Sequence, residues 1–426
     1  MRPANRGRAK RGEVSTPTYL VWEITLACDL GCKHCGSRAG KARENELSTE
    51  ECLDLVAQFA ESGIREITLI GGEAYLRDDW HIIAGAISDA GIRCGITTGA
   101  RNLTQERVDN AVAAGVHTIG ISIDGLQHTH DMLRGPGSFE ALIGAAERIS
   151  KSPIRLTTNS QINRLSLPEL PALADRIVAM GSKAWQIAVT VPLGRAADRP
   201  ELVLQPYELL ELFPLLVWLK RNHLDPAGVR LFPANNVGYF GPYSAELRSG
   251  SHFGGCGAGR TTLGVEADGG LKACPSLPSE DYTVGNLGAS SLESLSKPDS
   301  DLKKLSKRTV DDLWGYCATC YYAEECLAGC TWTSHAILGR PGNNPYCVHR
   351  QLELAKEGVR ESLRKVEAAP GKPFDYGRFE LVHESLDLEA QSEQLFGMPI
   401  ETLLTLNRDD VSALSKAQVR KRLRIL

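Results

Sequence analysis

Three cysteines in the stretch Cys28-Asp29-Leu30-Gly31-Cys32-Lys33-His34-Cys35 constrain this chain more than any other feature. Thiols so close together make a pocket that little but a metal needs. The C-x3-C-x2-C spacing offers three thiolates, whereas a closed tetrahedral zinc site or an electron-transfer iron–sulfur cluster normally takes four ligands. An iron of such a cluster would keep one coordination position open. The preceding run, Val21-Trp22-Glu23-Ile24-Thr25-Leu26, is apolar and β-branched, so it reads as a buried strand that delivers the cysteines onto a loop at its carboxyl end. For the loop alone, a structural zinc knuckle completed by His34 or a later cysteine is the competing reading.

The chain has 426 residues, enough for one large domain plus one or two smaller ones. Its formal charge of −4 gives no reason to expect a nucleic-acid or membrane partner. The opening Met1 to Gly12 is basic but lacks an apolar core, so it is no secretory signal, and residues 1–17 read as a solvated flexible tail. No apolar run approaches the roughly 20 residues that span a bilayer, which points to a cytoplasmic protein. In a reducing compartment the 12 cysteines are better explained by metal than by disulfides. Cys52 and Cys94 fall in helical and strand-like patterns and are assigned to the core. The other cysteines form two groups, at 28–35 and 256–347.

From Thr18 to about Phe232, short β-type runs alternate with helical patterns. Strands are expected at Tyr19–Leu26, Glu66–Ile70, Arg93–Thr97, Thr118–Ile123, Ile154–Asn159, Ala184–Val189 and Gly228–Phe232. Helices are expected at Thr49–Ser62, Asp79–Ala90, Thr104–Ala114, Ser138–Ser150, Leu167–Met180 and Pro206–Asn222, with Ser48 or Thr49, Thr104 and Ser138 as N-caps. Repeated βα units predict a parallel sheet with right-handed crossovers. Polar residues gather where those strands end: Gly71-Gly72-Glu73-Ala74, Thr97-Thr98-Gly99, Ser122-Ile123-Asp124-Gly125 and Thr158-Asn159.

The cysteine loop, followed one βα unit later by Gly71-Gly72-Glu73, resembles the signature of the radical S-adenosylmethionine (SAM) superfamily. The resemblance implies an α/β fold built on a partial (β/α)6 TIM-type barrel with its site at the strand carboxyl ends. It also implies a [4Fe-4S] cluster on Cys28, Cys32 and Cys35, whose open iron chelates SAM. Gly71, Gly72 and Glu73 would meet the methionyl amine, Ser122 and Arg134 the SAM carboxylate or ribose, and Val191 the adenine. Asp124 reads equally as a cap of the following helix. The segment Pro192-Leu193-Gly194-Arg195-Ala196 resembles a run in peptide-modifying members, and Arg195 alternatively serves as a loop salt-bridge residue. Ala74 stands where the family usually has proline.

Cys256 and Cys274 are followed by Cys317-x2-Cys320-x5-Cys326-x3-Cys330-x16-Cys347, with Glu266-Ala267-Asp268-Gly269-Gly270 reading as a hairpin turn. This order resembles the SPASM domain, a small cysteine-rich extension that carries auxiliary iron–sulfur clusters. By that resemblance one auxiliary cluster sits on Cys317, Cys320, Cys326 and Cys347. The other sits on Cys256, Cys274 and Cys330, a three-cysteine set that leaves an open iron or a non-cysteine ligand. The expected organisation is therefore a tail at 1–17, the barrel at 18–232, a connector at 233–255, the SPASM domain at 256–350, and a helical, polar C-terminal extension at 351–426. That extension opens with a helix-like run at Gln351–Val366 and has helical pieces near Ile400–Leu406 and Val411–Leu423. Connector aromatics Tyr239, Phe240 and Tyr243 either contact substrate or pack the seam between the barrel and the cysteine-rich part.

The implied function is reductive SAM cleavage to a 5′-deoxyadenosyl radical that abstracts hydrogen from a substrate carbon. The first substrate expectation is a ribosomally made precursor peptide that is crosslinked or oxidised. It would come with a flavodoxin- or ferredoxin-type electron donor, and because the barrel begins by Thr18 where many such enzymes carry a leader-binding module, leader recognition would need a separate leader-binding protein, the tail, or no leader at all. A small molecule or cofactor precursor is the alternative substrate. A non-catalytic iron–sulfur electron carrier would need neither Gly71–Glu73 nor the polar strand ends.

Overall fold

The computed structural model describes residues 17–249 and 253–386. All but the last residue of the basic tail, and the helical pieces expected near 400–406 and 411–423, lie outside the described residues. The seven anticipated parallel strands form: β1 Tyr19–Thr25, β2 Glu66–Gly71, β3 Arg93–Thr98, β4 Thr118–Ser122, β5 Arg155–Ile162, β6 Ala184–Val189 and β7 Arg230–Pro233. They pair in sequence order, every pair parallel, as right-handed βα repeats require.

Helices α1 Thr49–Glu61, α2 Trp80–Asp89, α3 Gln105–Ala113, α4 Gln127–Arg134, α5 Ser138–Ser150, α6 Leu170–Ala179 and α7 Leu209–Leu219 follow the strands. Ser48 closes a capping box on α1 with Glu51, and Thr104 caps α3. Ser138 does not cap α5. The preceding Gly137 takes the left-handed conformation at φ 75°, and the Ser138 hydroxyl donates to Asp131 at 3.1 Å. Helix α4 was not anticipated as a helix. The core lies between strands and helices, as where Trp22 of β1 meets Phe59 of α1 edge-on at 5.3 Å, with Cys52 and Cys94 both buried in it.

The helical segment Pro200–Leu224, 25 residues long, is long and apolar enough to cross a membrane, contrary to the expectation that no run approaches that length. It is apolar on all sides because it is a core helix, with 78% of its most apolar window buried inside the protein.

The sheet does not stop at β1. Strand β8 Thr262–Val265 pairs parallel to β1, β9 Gly270–Lys272 pairs antiparallel to β8, and β10 Thr283–Asn286 pairs antiparallel to β9, giving a ten-stranded sheet in the order β10-β9-β8-β1-β2-β3-β4-β5-β6-β7. The turn anticipated at Glu266–Gly270 is thus a hairpin that continues the barrel sheet. Cys274 stands two residues after β9, so the strand that pairs with β8 delivers it.

The helix-like run Gln351–Val366 is corrected. A helix covers Val348–Lys356, Gly358 reverses the chain at φ 71°, and the remainder is β11 Val359–Glu367, paired antiparallel with β12 Arg378–Ser385. The Glu, Arg, Lys and Leu of this stretch favour helix intrinsically, but tertiary contacts override that preference. Glu361 of β11 is fully buried, accepting from Arg350 and from Gln351 Nε2 at 3.0 Å and hydrogen-bonded to His383 at 2.9 Å.

Candidate active site

The cysteine loop leaves the carboxyl end of β1 and is tied down along its whole length. Glu46 Oε1 accepts from Leu26 N at 2.8 Å and Arg43 N at 2.9 Å. Cys28 N donates to Gly40 O at 3.1 Å, and Gly40 N donates to Leu26 O at 3.0 Å, closing the loop on itself. Arg195 donates from Nε to Cys32 O at 2.7 Å, from Nη1 to Ala39 O at 3.1 Å, and from its backbone N to Cys35 O at 2.9 Å. Its side chain clamps the loop through backbone carbonyls, and no carboxylate pairs with it among the described residues. Neighbouring Gly194 has φ 57°, and a Cβ there would stand 2.2 Å from Gly36 O. The run Pro192–Ala196 therefore backs the cysteine loop.

Gly71 and Gly72 are required by that same loop. A Cβ on Gly71 would meet Thr25 O at 2.2 Å, and one on Gly72 would meet Ala27 O at 2.0 Å. The glycines let β2 approach the cysteine loop's backbone, with Gly72 N donating to Thr25 O at 2.9 Å and Glu73 N to Ala27 O at 2.8 Å. Glu73 is held inward and buried, accepting from Thr98 Oγ1 at 2.5 Å and Gly99 N at 2.6 Å. Burial pushes its carboxyl up to about 7 against the pull of those two bonds. The ligand atoms of Cys28, Asp29 and Glu73 all lie within 4.8 Å of one another.

Asp124, at the end of β4, is fully buried and does not cap α4, whose N-cap is Leu126. Its Oδ2 is hydrogen-bonded to His34 at 2.9 Å and accepts from Arg134 Nε at 2.6 Å, while its Oδ1 accepts from Gln161 N at 2.7 Å. Burial would raise its pKa, but the charges of Arg134 and His34 hold it well below the usual carboxylate range. Arg134 Nη1 lies 3.7 Å from Cys32 Sγ, so the guanidinium sits at the cysteines. Ser122 ends β4 half-buried, opposite Asn159. Val191 is buried against Leu193, Ala336 and Phe374.

None of the twelve cysteines is joined in a disulfide. Burial pushes Cys28 up to about 12 and raises Cys32 despite Arg134. The later cysteines come together as two groups. Burial and then Cys256 and Cys330 push Cys274 up to about 12, and burial and then Cys256 push Cys330 up to about 11. Around Cys326, burial and then Cys347, Cys317 and Cys320 raise the thiol well above its ordinary range. Buried thiols that raise one another cannot ionise together without a cation among them, so these donor sets suit metal. Thr331 Oγ1 donates to Cys256 Sγ at 3.3 Å, and Asn344 N to Cys317 Sγ at 3.4 Å.

The connector aromatics pack the seam. Tyr239 meets Phe253 edge-on at 4.9 Å and its hydroxyl accepts from Asn344 at 2.9 Å, while Phe240 stacks on Tyr322 at 4.6 Å. Asp29, Thr98 and Gly99 escaped the sequence reading as site residues, although Thr98 and Gly99 stood in a flagged strand end, and His34, read there only as an alternative zinc ligand, is instead engaged with Asp124.

The model of the Radical SAM superfamily matches residues 22–162, which hold the cysteine loop, Gly71–Glu73, Asp124 and Arg134. Residues 22–162 form a radical SAM domain. The AdoMet-dependent heme synthase of Methanosarcina barkeri is 28% identical to the chain over 357 residues, covering 79% of this chain and 97% of that protein. Mycofactocin maturase MftC of Mycobacterium tuberculosis is 28% identical over 359 residues, covering 81% of this chain and 86% of its own length. Among solved structures, Streptococcus suis SuiB bound to precursor peptide SuiA superposes with a TM-score of 0.62 at 17% identity, over 78% of this chain and 75% of that one. That likeness shows the fold: a parallel-sheet partial barrel followed by a cysteine-rich region. The radical SAM superfamily implies a [4Fe-4S] cluster and SAM, and the buried cysteine loop beside Glu73 and Arg134 fits both.

Proposed function

We propose that this radical SAM enzyme modifies a ribosomally made precursor peptide, crosslinking or oxidising its residues. When bound, the cluster and SAM supply reductive cleavage to a 5′-deoxyadenosyl radical that takes a hydrogen atom from a substrate carbon. The chain's part is to hold and orient. Cys28, Cys32 and Cys35 ligate the cluster; Gly71 and Gly72 bring β2 against the loop; Glu73 accepts from the SAM amine. Arg134, Ser122 and Val191 meet the SAM carboxylate, ribose and adenine. The observation that supports the reading is that the ligand atoms of Glu73 and Cys28 lie within 4.8 Å of each other, so that an acceptor for the SAM amine would stand beside a thiolate proposed to hold the cluster.

Cys317, Cys320, Cys326 and Cys347 hold one auxiliary cluster in this proposal, and Cys256, Cys274 and Cys330 hold the other with an open iron or a non-cysteine ligand. A flavodoxin- or ferredoxin-type donor supplies electrons in the cytoplasm. The MftC relative supports a peptide substrate. The heme synthase relative, 28% identical over 97% of its own length, supports a second reading in which the substrate is a small molecule or cofactor precursor. Anaerobic reconstitution with SAM and dithionite tests the chemistry: 5′-deoxyadenosine should form. Incubation with a short peptide encoded beside the gene should then remove hydrogen from that peptide by mass spectrometry, and an unmodified peptide would favour the second reading.

A further inference from the structure

The two later cysteine groups differ in what their sulfurs meet. Each has a cysteine directly before a helix, Cys330 before Thr331–Leu338 and Cys347 before Val348–Lys356, so a helix start does not tell them apart. In the three-cysteine group the first residue of that helix, Thr331, is only 1% exposed, and its Oγ1 donates to Cys256 Sγ at 3.3 Å. In the four-cysteine group the comparable contact comes from the backbone, Asn344 N to Cys317 Sγ at 3.4 Å.

Behind the Thr331 hydroxyl stands a cation. Arg308 Nη2 donates to the same Oγ1 at 2.7 Å, and its Nη1 donates to Leu327 O at 3.1 Å, which fixes the guanidinium at two points. Because Oγ1 accepts from the guanidinium, its own hydrogen is left for the sulfur. Guanidinium, hydroxyl and thiol thus form one directed relay. Arg308 lines a cavity of about 650 Å³ in which Asp281, Asp301 and Asp312 balance Lys304, Lys307 and Arg308 itself. What reaches Cys256 is therefore the directed hydrogen bond rather than a net field. The guanidinium near Cys317 and Cys347, that of Arg350, is instead held in a buried ion pair with Glu361.

We propose that Thr331, polarised by Arg308, raises the reduction potential of the auxiliary cluster held by Cys256, Cys274 and Cys330, so that this site accepts an electron more readily than it would with an unbonded Cys256. This rests on the auxiliary-cluster assignment proposed above. A hydrogen bond donated to a ligand sulfur favours the reduced state, because the added electron puts more negative charge on the sulfur. A guanidinium donating to the hydroxyl oxygen makes that hydroxyl the stronger donor. Neither residue is a ligand here; both are positioning residues that act through Cys256.

The test is a redox titration of the reconstituted full-length protein followed by electron paramagnetic resonance. The signal and iron lost in Cys256→Ala identify the three-cysteine site. Thr331→Val keeps the side-chain shape and removes the hydroxyl. It should lower the ratio of reduced to oxidised cluster at a fixed potential about tenfold, which is ~59 mV for a one-electron couple. Arg308→Met should act in the same direction by less, and Thr331→Ser should keep the unsubstituted value. Signals that survive in Cys256→Ala should stay where they are and serve as the internal reference. A purely structural role would lower the melting transition and leave the potential unmoved. An unchanged potential in Thr331→Val overturns the proposal, as does one in Arg308→Met should the valine variant fail to load iron. If Cys256→Ala loses neither signal nor iron, the auxiliary-cluster assignment falls and the proposal with it, while 5′-deoxyadenosine formation by the unsubstituted protein tests the radical SAM chemistry separately.

Discussion

Arg134 Nε donates to Asp124 Oδ2 at 2.6 Å beneath the cysteine loop, and both side chains are buried. Through this bond Asp124 aims a guanidinium at Cys32 Sγ, 3.7 Å away, and with its own Oδ2 also engages His34. Asp124→Ala strands a buried cation and removes the partner of His34. Breaking a buried pair from one side costs about 3–5 kcal/mol, so the denaturant midpoint should fall markedly, and an unchanged midpoint would show that the pair contributes nothing.

Cys32 anchors the loop that the radical SAM assignment depends on. Cys32→Ala should abolish 5′-deoxyadenosine formation while iron and sulfide persist in the later cysteine groups. Elemental analysis and product chromatography on the same preparation check it, and retained SAM cleavage would refute the ligand assignment.

Gly72 has no room for a side chain. In Gly72→Ala the new methyl would meet Ala27 O at 2.0 Å, so backbone has to shift. Overpacking of this kind costs about 1–3 kcal/mol, and here the shift falls on the residue before Cys28. Lower thermal stability together with weaker iron retention is expected. An alanine variant that loads iron normally would show that the approach of β2 is not needed to shape the loop.

Glu211 of α7 gives a pH signature remote from the cysteines. Burial, then Glu208, pushes its carboxyl from 4.5 up to about 8. The folded chain keeps this proton where the unfolded chain releases it, so the contribution of Glu211 to stability is greatest below 4.5 and declines as pH rises toward about 8. Glu211→Gln should therefore become stabilising relative to the unsubstituted protein as pH rises. Denaturant unfolding at about pH 5 and about pH 9 reads the difference, and an equal difference at both would exclude the shift.

Much of the architecture was legible in the residues. The seven barrel strands stand within three residues of the β-branched runs that announced them, because period-2 patterning and buried runs are local signals. The hairpin at β11 and β12 was not legible, since residues 351–366 are rich in helix formers and only Gly358 hinted at a break. Asp124 was ambiguous for a related reason: an aspartate just after a strand suits a helix cap as well as a buried ion pair, and its sequence neighbours do not distinguish them.

The sequence by itself determined the chemistry available to this protein: three thiols with a vacancy, a Gly-Gly-Glu turn one βα unit later, and seven further cysteines in fixed order. Spacing along the chain sets which atoms are offered. Only the tertiary structure decided what those atoms face. Strand order and register bring His34, Asp124 and Arg134 together, and they lay β8 along β1 and β9 along β8 so that Cys274 follows the extended barrel sheet. Such contacts join residues far apart in the chain, and they form only when burying one face of each strand fixes the register of the whole sheet.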